Sequence, residues 1–157
     1  MSGIIAVLRV RGEIGIKPQI KTTLDLMKLH RKHRLILLKN TPSNKGMIDK
    51  VKDYCTFGEV DQETIIKLLS ERGRLPGNNR LTEKYVKDKT KLSIKDFSEN
   101  FILGKSGLKD IEGLKKFFKL HPPIGGFERL GIKKPFTRGG VLGYRGKEMN
   151  KLVQKMI

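Results

Sequence analysis

The stretch IIAVLRVRGEIGIKPQIKTTLDLM, residues 4–27, decides the fold. Ile4, Ala6, Leu8 and Val10 alternate with Ile5, Val7, Arg9 and Arg11, the period of a strand whose second face turns basic at its far end. Gly12 to Gly15 reads as a flexible turn. Pro18 suits the first turn of a helix, where its missing N–H is not needed. Ile20, Leu24 and Met27 then recur at i, i+4 and i+7 as an apolar helical stripe.

Strands and helices alternate outward from there. Leu35 to Leu38 is a short apolar run with the length of a buried strand, and Asn40 to Asn44 is a loop by its turn chemistry. Met47, Ile48, Val51 and Tyr54 mark a second helix, and Thr56 to Val60 a third strand weakened by Gly58. Asp61 can cap a third helix, with Ile65, Leu68 and Leu69 on its buried side and Gly73 at its end. Residues 1–73 therefore read as β-α-β-α-β-α, a core near the lower size limit for independent stability.

Residues 74–157 form an extension. Arg74 to Arg80 is a polar connector, and Thr82 to Val86 a helical turn. Ser93 caps a helix with Ile94, Phe97 and Phe101 on one face. Leu108, Ile111, Leu114 and Phe118 make a further helical stripe, weakened by Gly113, and Glu148 to Ile157 closes the chain as a helix with Met149, Leu152 and Met156 aligned. Between them, residues 119–147 hold seven glycines, three prolines and seven basic side chains against the single acid Glu128. Such a stretch is neither a regular helix nor a long strand, and a loop of that length in a compact protein usually carries function.

The chain has 157 residues, 34 basic and 16 acidic, for a net charge of +18. The halves share it: residues 1–80 carry 16 basic and 8 acidic side chains, residues 81–157 carry 18 and 8. Self-repulsion of that size calls for a polyanion: RNA, DNA or an anionic membrane. Cys55 is the only cysteine, which fits a reducing compartment. Arg9 and Arg11 cut short the first apolar run, so no signal peptide is expected, and no run is long enough to span a bilayer. A cytoplasmic protein is the expectation.

Enzyme signatures fail on inspection. Gly104-Lys105-Ser106 ends like a phosphate-binding loop, but that spacing requires glycine at position 99, which is Glu99. His30 and His33 have no nearby cysteine or acid to complete a metal shell. No catalytic residue, metal, cofactor or small-molecule substrate is expected. What remains is anion binding. Glycine backbone approaches phosphate closely, and adjacent lysine or arginine supplies charge. Phe127, Phe136 and Tyr144 either stack on unpaired bases or plug into the protein itself. Arg9, Arg11 and Lys17 precede helix one and Lys45 precedes helix two; side by side, the two helix starts would form one anion-binding edge.

Several segments in order resemble a known family. Arg9-Val10-Arg11-Gly12 through Thr22-Thr23-Leu24, Asn40 to Met47, Val51-Lys52-Asp53-Tyr54 and Phe57-Gly58-Glu59 are similar to the large-subunit ribosomal protein thirty family. Leu120 to Phe127 and Gly139 to Gly143 resemble its long archaeal and eukaryotic form, while residues 74–118 match least distinctly. Ile124 departs from the pattern, standing where a basic residue is expected. The lack of a long basic N-terminal arm points to the archaeal type. The resemblance implies a ferredoxin-like α+β core over residues 1–73, with a three-stranded sheet under two helices on one face. It implies a structural constituent of the large ribosomal subunit that binds its 23S-type rRNA, lies near 5S rRNA and touches neighbouring ribosomal proteins. An exchanging RNA chaperone or regulator is the alternative. The expected RNA contacts are Arg9, Arg11, Lys17 and Lys45 in the core. In the extension they are His121, Gly125, Gly126, Arg129, Lys133, Lys134, Arg138, Gly139, Gly140, Arg145 and Lys147.

Overall fold

The computed structural model describes residues 3–157. Strand β1 (Ile4–Arg9) lies at the centre of the sheet, with β2 (Arg34–Lys39) and β3 (Cys55–Glu59) antiparallel on either side. Ile4 faces Lys39 and Leu8 faces Leu35 across one ladder; Ile5 faces Glu59 and Arg9 faces Cys55 across the other. Two strands from the extension complete the sheet. β4 (Phe117–Lys119) pairs antiparallel with β2, and β5 (Gly143–Tyr144) pairs parallel with β3. The order is β4-β2-β1-β3-β5, so the three-stranded sheet expected from sequence becomes five-stranded. Strands of three and two residues are too short to show a period of two, which is why the sequence does not reveal them.

Both faces of the sheet are covered. Helices α1 (Pro18–Leu26) and α2 (Pro42–Val51) lie on one face, where Leu24, Ile48 and Val51 pack on Ile5, Val7 and Ile36. The other face holds α3 (Gln62–Lys67), α4 (Glu83–Thr90), α5 (Ile94–Ile102) and α6 (Glu148–Met156). There Ile65, Phe97, Phe101, Met149 and Val153 pack on Ile4, Ala6, Leu8 and Val10. Every residue from Ile4 to Val10 is buried, because the alternation Ile4/Ile5 serves two cores at once. Burying each large aliphatic or aromatic side chain contributes about 1.5–3 kcal/mol.

Local chemistry explains most boundaries. Thr41 Oγ1 accepts from the Asn44 N–H at 3.3 Å and Pro42 occupies the first turn, so α2 begins inside the stretch expected to be loop. The residues that make a turn here also start a helix. Ser93 Oγ caps α5 through the Asp96 N–H as expected. α3 continues into one wide helical turn, Leu68–Arg72, before Gly73. Asp61 stands at the start of α3, but its carboxylate accepts from Asn150 Nδ2 at 3.0 Å, while Asn150 Oδ1 accepts from the Asp61 N–H at 2.9 Å. That reciprocal pair fastens α6 to the core. The helix expected over Leu108 to Phe118 is absent. Gly113 adopts a left-handed conformation, and Leu108, Ile111 and Leu114 are buried from successive turns leading into β4.

Candidate nucleic-acid interface

The antiparallel β1–β2 pair gives the sheet two unlike ends, one at Arg9 and the other at Lys39. At the Arg9 end, the Val10 and Arg11 N–H groups donate to the Tyr54 carbonyl, and the His33 N–H donates to the Arg9 carbonyl. The Leu120 N–H donates to His33, and Gly143 pairs with Thr56. Four connections therefore converge there: residues 10–17, 27–33, 52–54 and 120–142.

The glycine-rich segment is tied to this end at several points. Phe136 and Gly140 close a turn on Leu142 and Pro135, and the Val141 N–H donates to the Lys134 carbonyl at 2.9 Å. Phe127 stacks on His33 with ring centroids 6.1 Å apart. Arg145 is the main anchor. Its Nε donates to Thr56 Oγ1 at 2.9 Å, Nη1 lies 2.6 Å from Glu128 Oε1, and Nη2 donates to the Val141 carbonyl at 3.0 Å. Its guanidinium also lies over the Phe136 ring at 4.7 Å. Val141 and Leu142 enter the core beside it.

These ties sort the residues expected to meet RNA. Arg129, Lys133, Lys134 and Arg138 are exposed on the segment, and His121, Gly125 and Gly126 are exposed where it begins. Gly125 and Gly126 are both left-handed, and a side chain at either would meet open space, so their surface is bare backbone. Gly139 is exposed. Gly140 is buried, because a Cβ there would stand 2.1 Å from the Lys134 carbonyl oxygen. Arg11 is half-buried over the Tyr54 ring at 4.8 Å, and Lys17 is exposed at the start of α1.

Two expected arginine contacts are, like Gly140, inside the protein. Arg145 is 5% exposed and Arg9 is 2% exposed. Arg9 donates through Nη1 to Leu29, Nε to Arg11 and Nη2 to Gly12 carbonyls. Both guanidiniums hold the fold and face no solvent from which a phosphate would come. Lys45 and Lys147 lie at the other end. Lys45 is inside α2, not before it, and lines a cleft with Asn40 and Glu59; the Lys147 carbonyl accepts from Asn150 beside Asp61. The two helix starts do not form one edge. Thr41 and Asn44 from the start of α2 share a groove with Leu26 and Met27 from the end of α1, not with its start. All three aromatics of the segment have intramolecular partners, Tyr144 packing on Phe57 and donating to Glu59 at 2.8 Å.

The structure adds residues that sequence reasoning left out. Arg31, Lys32 and Lys52 are exposed at the Arg9 end, and Arg34 lies over the Phe117 ring at 4.3 Å. Their signal was the run His30-Arg31-Lys32-His33-Arg34, five consecutive basic residue types. Ile14 is fully exposed at the tip of the β1–α1 loop, an apolar point amid this charge. The crowding registers in the titrating groups. Burial first, then the positive charges of Arg31 and Arg9, hold the Arg34 pKa below its ordinary value. Burial and then Lys32 lower that of His33, whose Nδ1 is buried without a partner. Burial pushes the Cys55 thiol up to about 12, so it is an inert core group. Among the described residues, no three His, Cys, Asp or Glu side chains group to hold a metal, and no helix is long and apolar enough to cross a membrane.

Comparison with known proteins meets this geometry at the core. Residues 5–55, from β1 to the first residue of β3, match the family described as ribosomal protein L30p/L7e. The large ribosomal subunit protein uL30 of Methanococcus maripaludis is 45% identical over 152 residues, spanning 97% of this chain and 98% of that one. The chain belongs to the L30p/L7e family. The uL30 protein of Methanopyrus kandleri is 45% identical over 94% of this chain and all of its own length, and that of Nanoarchaeum equitans 43% over 97% of each. The likeness to these relatives covers the extension as well as the core.

Proposed function

We propose that this chain is a structural constituent of the large subunit of the cytoplasmic ribosome and binds large-subunit rRNA with the Arg9 end of its sheet. Family membership supports the first part. The observation that carries the second is the convergence of exposed Arg31, Lys32, Lys52, Arg129, Lys133, Lys134 and Arg138 on one end, where Glu128 is already paired with Arg145. Phosphates replace solvent counterions around those side chains, and the bare backbone at Gly125 and Gly126 permits close approach. Ile14 adds an apolar contact at the tip of its loop. The role is architectural: the rigid two-core fold orients the charges, and no catalytic step is required. Proximity to 5S rRNA and contact with neighbouring ribosomal proteins are part of the same proposal, and the family resemblance is what supports them.

Cosedimentation tests this reading. The chain should travel with large subunits and stay through a high-salt wash, since shape and buried backbone contacts outlast screened charge. Release at modest salt, with the chain recovered on free RNA, would favour an exchanging RNA chaperone.

A further inference from the structure

Strand β2 is only half covered. β4 pairs with Arg34, Leu35 and Ile36 and stops there. β1 lies along the other side of β2 from Leu35 to Lys39. Leu37 to Lys39 therefore run on past the last partner strand. The Lys39 carbonyl accepts from the Thr41 N–H at 2.9 Å and from Asn44 Nδ2 at 2.8 Å, so Leu37 and the Lys39 N–H are the backbone groups left without a partner strand, and an edge of this kind is a template for another extended chain. Beside it lies a groove of about 740 Å³. Leu26, Met27, Leu38, Phe101 and Leu108 make its apolar lining, and Leu26 is 69% exposed although it sits in the last turn of α1. Around that lining stand Lys28, Lys39, Lys105, Lys109 and Lys116. Asp110 is the single acid among the lining residues, and its Oδ2 accepts from the Gly107 N–H at 2.7 Å.

We propose that this groove docks an acidic, extended segment of a neighbouring protein, which adds to the Leu37–Lys39 edge as a short strand. The edge supplies main-chain hydrogen bonds, alternate side chains fall onto Leu26, Leu38 and Leu108, and carboxylates meet the five lysines. RNA fits this groove less well. Its floor is aliphatic, and Phe101 is only 3% exposed, so no ring face is open for a base to stack on. The groove also lies on the Lys39 half of the sheet, away from the proposed RNA-binding end. The chain would then join RNA at one end to protein at the other.

The test uses assembled large subunits. The chain carries a photoreactive diazirine analogue of leucine at position 26, and cosedimentation first establishes that it is seated. A chain that fails to seat contradicts the large-subunit reading and, with it, the neighbour proposed here. For a seated chain, irradiation should join position 26 to a protein segment of net negative charge. The amides of Leu37 and Lys39 should exchange about tenfold or more slowly in the subunit than in the free chain. A crosslink to rRNA would put RNA in the groove and overturn the proposal. So would a crosslink to a basic protein segment, or no crosslink from a seated chain. A protein crosslink with unchanged amide exchange would overturn the strand addition.

Discussion

The Arg9 end and the Lys39 end are built by the same central strands, yet they present opposite surfaces. At the Lys39 end two connections are tight, Asn40–Thr41 from β2 to α2 and Val60–Asp61 from β3 to α3, and one is long, residues 103–116 from α5 to β4. Lys45 there lines a cleft with Glu59, and the Lys147 carbonyl accepts from Asn150 beside Asp61, while other lysines of that half gather around the groove beside β2. At the Arg9 end the connections are long and rich in arginine, lysine and glycine, and the one acid of the glycine-rich segment is held by Arg145. A net charge of +18 spread evenly along the sequence is thus uneven in space, because the direction of each strand decides which end receives the next loop. The lesson is that sequence charge density and surface charge density are different quantities.

The sharpest way to break the contrast is to cut the anchor of the long segment. Arg145→Met leaves Glu128 and Thr56 without their buried partner, and should destabilise the fold by about 3–5 kcal/mol in urea unfolding. A loss below about 1 kcal/mol, the range of exposed pairs, would mean that this ion pair is not buried in solution. Gly140→Ala probes the same segment through its backbone. The added methyl would meet the Lys134 carbonyl, at an expected cost of about 1–3 kcal/mol, with Gly12→Ala costing less because its surroundings are open and its backbone is not left-handed. Thermal unfolding of the two variants side by side checks that order.

Much of the fold beneath this contrast is legible in the residues themselves, and the parts that are not share a cause. The alternation from Ile4 to Val10 announces β1, and Ser93 with Ile94, Phe97 and Phe101 announces α5. Period and capping chemistry are local, so they survive in the sequence. β4 and β5 do not, since Phe117 and Phe118 fit the helical spacing of Leu114 equally well until Gly113 breaks it. Arginine burial is also illegible. Arg9 and Arg145 look like Arg129 and Arg138 in sequence, and only the carbonyls and Glu128 brought to them by folding make them internal. The run from His30 to Arg34 is visible as composition, but its place beside the glycine-rich segment depends on the β1–β2 register.

A smaller effect comes from His33. Its pKa is lowered by burial and by Lys32, so the folded chain resists its protonation. The sign follows directly: the unfolded state binds the proton more readily, stability is fully present above the unfolded value near 6.5, and it falls as pH drops through that value toward the folded pKa. An NMR titration of the free chain should give a midpoint below 6.5. Bound phosphate at the Arg9 end should raise that midpoint, and a free-chain value above 6.5 would contradict the crowded, partly buried setting described here.

The central claim is that RNA binds one end of the sheet and not the other. It is tested most directly by two triple variants of equal charge, both measured for binding to large-subunit rRNA across a salt series. One replaces Lys133, Lys134 and Arg138 with alanine; the other replaces Lys45, Lys147 and Lys95, which is exposed in the first turn of α5 beside Gln62 at the start of α3. Each phosphate contact contributes about 0.7–0.9 to the slope of log affinity against log salt, so the first variant should lose about two to three units of slope. The second should keep the slope of the unmodified chain. Equal losses from both would show that binding follows net charge alone, and would contradict a built RNA-binding end.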